Sequence, residues 1–75
     1  MYSPGDYVKV EFEDDMGGDS EWMWVRDEAV DDGHRIVFGI LDNEPVVVSG
    51  LHLGMKLAIG FDKVSEHMKG ESFNQ

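Results

Sequence analysis

The sequence predicts a mainly β protein of one small domain stabilised by apolar packing, and three features of the chain lead to this expectation. Short runs of alternating apolar and polar residues recur, and turn-forming residues separate them at close spacing. The chain has 75 residues, of which 41% are hydrophobic, so we expect one small domain over residues 1–75 with frayed ends at 1–5 and 70–75. It contains no cysteine, so apolar packing must provide the stability that disulfides give to many small domains.

The first two predicted strands follow from periodicity. The stretch Tyr7–Glu13 (YVKVEFE) alternates strictly, with Val8 and Val10 on its apolar face, as in a half-buried strand. Residues 14–20 contain three acids and two glycines and are expected to form an exposed loop. A second strand then covers Glu21–Val30, because its first residues favour β structure.

Three further strands are expected in the middle of the chain. His34–Leu41 follows a tight turn at Asp31–Gly33 and is apolar on both faces, which places it at the centre of the sheet. Gly39 within it indicates a bulge or a bend. Pro45–Val48 is a short edge strand, because proline cannot donate to a strand ladder. Met55–Phe61 alternates clearly and forms the fifth strand.

The last segment changes its period. Asp62 suits a helix N-cap, Val64 and Met68 are four residues apart, and Gly70 can end a helix. We therefore expect one short C-terminal helix over 62–70. Five strands with short connections and a terminal helix are typical of an SH3-like small barrel. An OB-like barrel is the second choice, because it usually has longer strands and a helix in mid-chain.

Four stretches of the chain resemble a bacterial family: EWMWV (21–25), GILDNEP (39–45), LHLGMKLAI (51–59) and DKVSEH (62–67). The residues that match its pattern are Trp22, Trp24, Val25, Gly39, Leu41, Asn43, Pro45, Leu53 and Gly54. On these residues the chain resembles the domain-of-unknown-function family 2314 over Gly5–His67. The resemblance implies a small bacterial β-rich domain, found alone or attached to other domains, and it implies no established chemistry.

The charge of the chain bears on its partners. Sixteen acidic residues against six basic ones give a formal net charge of −10. This negative charge repels phosphate backbones and anionic membranes, so we expect no direct contact with nucleic acid or membrane. We expect instead a protein partner with a basic surface. Acidity that serves solubility alone stays an alternative. The chain begins without a secretion signal and has no long apolar run, which predicts a cytoplasmic location.

Catalytic, cofactor and metal sites are not expected. His34, His52 and His67 fall in different predicted elements and make no nucleophile–base pair with a recognisable spacing. The glycine pair at 17–18 lacks the lysine of a phosphate-binding loop. The acids of the 14–20 loop do not follow the ligand order of a calcium-binding loop.

The candidate partner-binding residues are the acids after the first strand and the two neighbouring tryptophans. They are Asp14, Asp15, Asp19, Glu21, Trp22 and Trp24. In an extended strand Trp22 and Trp24 point the same way, opposite to Met23 and Val25, so both faces of this strand are apolar. Either the terminal helix covers the tryptophan face, or the face stays open for a partner or a second copy of the chain.

The sequence therefore predicts a non-enzymatic protein-interaction module that uses an acidic loop and aromatic residues. The alternative is an acidic inhibitor, immunity or decoy protein that binds a basic nucleic-acid-handling enzyme, because complementary charge speeds association and selects partners. The tryptophan face could also contact a second copy of the chain, so a homodimer is a further alternative.

Overall fold

The computed structural model describes residues 2–14 and 17–70, so residues 71–75 of the expected frayed end at 70–75 lie outside the described residues. These residues form five strands: β1 (Tyr7–Glu13), β2 (Ser20–Asp31), β3 (Ile36–Leu41), β4 (Lys56–Gly60) and β5 (Val64–Met68). They make one antiparallel sheet in the order β4-β3-β2-β1-β5. The prediction of a mainly β protein is confirmed. In the described part of the chain, no helix has the length and apolar character needed to cross a membrane.

β1 and β2 form the hairpin that their alternation predicts. Val8 lies opposite Val25 and Val10 lies opposite Met23, and all four side chains are buried. Because side chains alternate along a strand, the residues between them, such as Trp24, point to the other side of the sheet. We call the side with the buried valines the inner face and the opposite side the outer face.

The inner face carries the hydrophobic core. Its buried cluster consists of Val8, Val10, Met23, Val25, Leu41 and Ile59. The segment 42–55, between β3 and β4, crosses this face: Val48 is buried, and Leu51 and Met55 pack on the core. The shortest dimension of the molecule, 18 Å, fits one sheet and one covering layer at about 10 Å from each other.

The connection from β4 to β5 forces the sheet to curl. β4 ends at Gly60 on one edge of the sheet, and β5 begins at Val64 on the other edge. The 3₁₀ turn Phe61–Lys63 is the only link, and four residue steps span at most about 14 Å. The edges of a flat five-stranded sheet are about 19 Å apart. The two edges must therefore approach each other, although β4 and β5 do not pair and the sheet stays open.

The predicted helix over 62–70 is wrong, because residues Val64–Met68 pair with β1 as a strand. A spacing of four residues, as between Val64 and Met68, agrees with both the helical and the strand period. The pairing with β1 satisfies backbone groups that this edge would otherwise leave open. Ser65 is an extra residue in the register, so Val64 faces the core and Met68 the outer face.

The predicted strand Pro45–Val48 is also wrong, because the segment 42–55 contains no strand. The β-branched residues 46–48 favour a strand locally. Their backbone N–H groups instead donate to the carboxylate of Glu21. The Glu21 side chain thus accepts the hydrogen bonds that these N–H groups would otherwise have donated to a neighbouring strand.

β3 is second from the edge of the sheet and not central, because β2 occupies the centre. It begins two residues later than predicted, since the chain turns over 32–35. In this turn Arg35, and not Gly33, takes a positive φ of 56°. Asp31 Oδ1 accepts a hydrogen bond of 3.1 Å from the His34 backbone N–H, which stabilises the longer turn.

The irregularity predicted at Gly39 exists, but the extra residue lies in β2. The register shifts between Asp27 and Ala29, which leaves Glu28 unmatched opposite the Gly39 region. A Cβ atom on Gly39 would lie 2.5 Å from the carbonyl oxygen of Arg26. The two backbones approach so closely at this bulge that only glycine fits.

Replacing Gly39 with alanine should lower the free energy of unfolding by about 1–3 kcal/mol, because the added methyl group overpacks the bulge. Besides the Arg26 oxygen, it would meet Val25 Cγ1 at 2.7 Å. Urea unfolding followed by tryptophan fluorescence measures the change. Gly33→Ala is the matched control, since its nearest atom is 3.5 Å away, and it should stay within about 0.5 kcal/mol of the parent. Equal effects of the two substitutions would contradict the packing argument.

Candidate functional site

The two tryptophans lie on the outer face of β2, on the same side, as their spacing predicts. Trp22 is 51% exposed, whereas Trp24 is half-buried. Lys9 lies opposite Trp24 on β1 and places Nζ 5.7 Å from the centre of its ring. The same Nζ is 3.6 Å from the Glu66 carboxylate on β5. The ring of Trp24 therefore already holds a cation of its own chain, by a cation–π contact.

β5 lies where the sequence predicts the terminal helix, which was one of the two alternatives for the tryptophan face. Met68 of β5 lines a shallow outer-face cavity of about 280 Å³ together with Tyr7, Trp24 and Asp42. Burial raises the pKa of the Tyr7 hydroxyl, and the charge of Asp42 and a hydrogen bond to it act in the same direction. Trp24 is thus part of a packed outer cluster, while half of the Trp22 surface remains open to solvent.

Glu21 sits at the start of β2 and acts as an anchor for the segment 42–55. Its Oε1 accepts hydrogen bonds from the backbone N–H groups of Val46, Val47 and Val48 at 3.1, 2.9 and 3.3 Å. These bonds, led by the one from Val47, hold the pKa of Glu21 below its ordinary value against the opposing effect of burial. The anchored loop presents the side chain of Val46 to solvent, 85% exposed.

The remaining candidate acids have different surroundings. Asp14 Oδ1 accepts a 3.0 Å hydrogen bond from the Ser49 hydroxyl, which ties the first loop to the segment 42–55. The backbone N–H of Asp14 donates to the Asp19 carbonyl at 2.7 Å. Asp19 itself is exposed, and Asp15 lies outside the described residues. The structure therefore gives Glu21 and Asp14 internal partners and leaves Asp19 at the surface.

The Asn43 side chain is a second anchor that the periodicity did not reveal. Its Oδ1 accepts a hydrogen bond from the Trp24 backbone N–H, and the Asp42 N–H donates to the Trp24 carbonyl at 2.9 Å. These bonds extend the β2–β3 pairing past Leu41. The stretch GILDNEP (39–45), on which the family resemblance rests, contains this residue, but only the fold shows that it positions Trp24.

Replacing Glu21 with alanine should speed hydrogen exchange of the Val46, Val47 and Val48 amides, because their common acceptor is removed. Lowering the pH should act the same way. The pKa of Glu21 is depressed from 4.5, so its stabilising effect is complete above that value and is lost as the pH falls through the lower folded-state pKa.

The control for this measurement is Glu44→Ala, which removes an exposed acid from the same segment. Exchange rates measured by NMR should be unchanged in that variant. Equal exchange at residues 46–48 in the Glu21→Ala variant and the parent would show that the carboxylate does not anchor the loop.

A buried pair of carboxyl groups lies on the inner side of β2, near the bulge. Asp27 is 2% exposed and Asp6 is 5% exposed. Their backbones are linked, since the Asp27 N–H donates to the Asp6 carbonyl at 2.8 Å and the Gly5 N–H donates to the Asp27 carbonyl at 2.7 Å. Neither carboxyl oxygen of Asp27 has a hydrogen-bond partner among the described residues.

Asp6 is surrounded by donors from both ends of the chain. Its carboxylate accepts from the Ser3 N–H at 3.0 Å, from the Gly70 N–H at 3.0 Å and from His67 Nε2 at 2.8 Å. The Lys69 ammonium group lies 3.7 Å away. Burial alone would raise the pKa of Asp6, but these four interactions outweigh it and leave the pKa below its ordinary value.

For Asp27, the effects that raise the pKa outweigh those that lower it. Burial raises its pKa to about 7, the negative charge of Asp6 adds to this rise, and the charge of His67 counteracts it in part. Its position could have been found in the sequence, because Asp27 continues the inward period of Met23 and Val25. The partners of Asp6 could not, since His67 is 61 residues away along the chain.

The stability of the protein should fall as the pH rises from about 4 to about 7. Over this range the folded state holds a proton on Asp27 that the unfolded state has lost, so unfolding becomes easier with rising pH. A pKa that moves from 3.8 to about 7 corresponds to about 4 kcal/mol in the free energy of unfolding. Urea unfolding at pH 5 and at pH 8 measures the part of this loss that falls above pH 5, about 3 kcal/mol.

Asp27→Asn removes the titrating group and should abolish most of that fall, whereas Asp32→Asn, an exposed control in the next turn, should retain it. If the Asp27 variant fails to fold, NMR titration of the Asp27 carboxyl carbon in the parent gives the answer. A midpoint below pH 5 would contradict the expectation, as would an unchanged pH dependence in Asp27→Asn.

The three histidines lie apart. His34 contacts Asp31 at 2.8 Å in the turn after β2, His52 is exposed in the segment 42–55, and His67 contacts Asp6. Within residues 2–14 and 17–70, no three His, Cys, Asp or Glu side chains lie close enough together to hold a metal ion.

Comparison with known proteins places the chain in a family. A family described as "Uncharacterized protein conserved in bacteria (DUF2314)" matches residues 4–73. No curated protein and no solved structure shows a significant match to the chain. The matched region contains the whole described sheet, including both tryptophans and the buried Asp6–Asp27 pair. The chain therefore belongs to the DUF2314 family of bacterial proteins.

Proposed function

We propose that this protein is a non-enzymatic protein-interaction module that binds a partner with a basic surface through Trp22 and the acids next to it. One observation carries the proposal: Trp22 is 51% exposed on the face of the sheet opposite to the core. Apolar patches with a polar rim mark interaction sites, and Trp22 shares its face with the half-buried Trp24 and with the exposed Glu11 opposite it. Tryptophan is also the residue most enriched among those that dominate binding energy.

The charge around Trp22 favours a basic partner. Glu11 lies directly opposite Trp22 on β1, and Glu13 is its diagonal neighbour on the same face. Both are exposed. Lysine and arginine can contact an indole ring by a cation–π interaction and a carboxylate by an ion pair at the same time. The net charge of −10 steers such a partner toward the chain over longer distances.

The proposed architecture is an SH3-like small barrel. The strand order β4-β3-β2-β1-β5 supports it, as does the 3₁₀ turn that carries the chain from β4 to β5. An OB-like barrel, the second choice, usually has a helix in mid-chain, where the described residues have the irregular segment 42–55. Small barrels of either kind serve many functions, so this architecture supports a binding role by analogy only.

An acidic inhibitor or decoy of a basic nucleic-acid-handling enzyme is the second candidate, and the net charge of −10 favours it. The two candidates differ in their dependence on salt. Binding through charge alone should disappear at high ionic strength, whereas binding through Trp22 should persist in part because burial of an aromatic ring is not screened.

Replacing Trp22 with alanine should weaken binding of the specific partner by about 2 kcal/mol, or about thirtyfold in Kd, because the main apolar contact is lost. Immobilised parent and variant proteins are exposed to bacterial lysate at low and high salt, and bound proteins are identified by mass spectrometry. Their affinities are then measured with purified partner.

The matched control is Phe38→Ala, which removes a 43% exposed aromatic side chain from β3 on the same face. It should retain the proteins that Trp22→Ala loses, and urea unfolding verifies that both variants are folded. Capture of the same proteins at the same yield by the Trp22→Ala variant would rule out the proposed site.

A further inference from the structure

β1 extends beyond β5, the strand that borders it on the side away from β2. β5 pairs with β1 from Tyr7 to Val10, and the register ends at Val10 opposite Val64. β1 continues to Glu13, while the chain before β5 turns away through Phe61–Lys63. In the described part of the chain, no strand therefore pairs with residues 11–13 on the side away from β2.

A groove lies beside this unpaired edge. It has a volume of about 420 Å³. Its lining residues are Glu11, Phe12, Glu13, Asp62, Lys63 and Ser65. Three of them are acids and one is basic, so the groove carries the negative sign of the whole chain. Phe12 adds an apolar surface, since its ring is half-buried against the core.

The groove and Trp22 are close enough to form one surface. Trp22 lies opposite Glu11 on the neighbouring strand, so a strand added outside β1 would be two strand spacings, about 10 Å, from β2. A lysine or arginine side chain on the added strand is long enough to extend over Glu11 and contact the indole ring of Trp22. The outer face contains a related contact over one strand spacing, because Lys9 of β1 lies over the directly opposite Trp24 and pairs with Glu66 of β5.

We propose that the groove along Glu11–Glu13 receives an extended segment of the partner rich in lysine or arginine, which pairs with β1 as an added strand and places a basic side chain over Trp22. Addition of a strand to an open sheet edge is an established mode of peptide recognition. The proposal rests on the proposed function and names the form of the partner segment. A second copy of the chain is a poorer occupant, because two molecules of net charge −10 repel each other.

A nine-residue peptide of alternating arginine and valine serves as the probe, with the peptide of alternating glutamate and valine as its control. Titration into ¹⁵N-labelled protein should shift the amide signals of residues 11–13 and slow their hydrogen exchange. The double variant Glu11→Gln/Glu13→Gln should weaken binding by about fivefold. The matched pair Glu28→Gln/Glu44→Gln, which removes two exposed acids elsewhere, should leave the affinity unchanged.

Several outcomes would overturn the proposal: equal binding of the glutamate peptide, signal shifts confined to other strands, or binding of the arginine peptide without slowed exchange at residues 11–13. Slowed exchange at these residues on raising the protein concentration without peptide would assign the edge to a second copy instead. Failure here is distinct from failure of the proposed function. If the Trp22→Ala variant no longer binds the partner but the peptide leaves the amides of residues 11–13 unchanged, strand addition at the groove is refuted. Trp22 then remains the proposed binding site.

Discussion

Three residues, Phe61–Lys63, carry the chain from one edge of the sheet to the other, and this short path constrains the rest of the structure. Because the path is shorter than a flat sheet is wide, the strands must curl around the inner face. The curl makes the inner face concave enough for a small cluster of valines, leucine, isoleucine and methionine to be enclosed beneath the segment 42–55. It also makes the outer face convex, so side chains such as Trp22 diverge into solvent.

The alternation of apolar and polar residues predicted much of the sheet. It located β1, β2 and β4 with nearly correct bounds, and it placed Val8 and Val10 on the apolar face of β1. This works because burial on one face of a sheet imposes a period of two on the sequence. The prediction was wrong at β5, where a spacing of four residues satisfies two periods at once, and only the open edge of β1 selects the strand.

Local β propensity also failed to predict the structure of residues 45–48. Three consecutive valines favour a strand, yet the Glu21 carboxylate from a distant part of the chain binds their amides. The candidate site shows the same limit. The common orientation of Trp22 and Trp24 followed from their spacing, but their different exposure depends on Lys9 and Met68, which adjoin Trp24 in the folded sheet. The Asp6 cluster joins residues from both ends of the chain, and nothing in the local pattern indicates it.

The position of Asp6 has a consequence for how the protein folds. Its carboxylate is satisfied by Ser3 near the start of the chain and by His67 and Gly70 more than sixty residues later. Until Gly70 has been synthesised, β1 lacks its outer neighbour and Asp6 lacks two of its donors. A nascent chain on the ribosome can form the β2–β3 hairpin early, since these contacts are close in sequence, but it cannot finish the sheet. We therefore expect the last stage of folding of this sheet to follow the synthesis of Gly70, with the β1 edge exposed to chaperones until that moment.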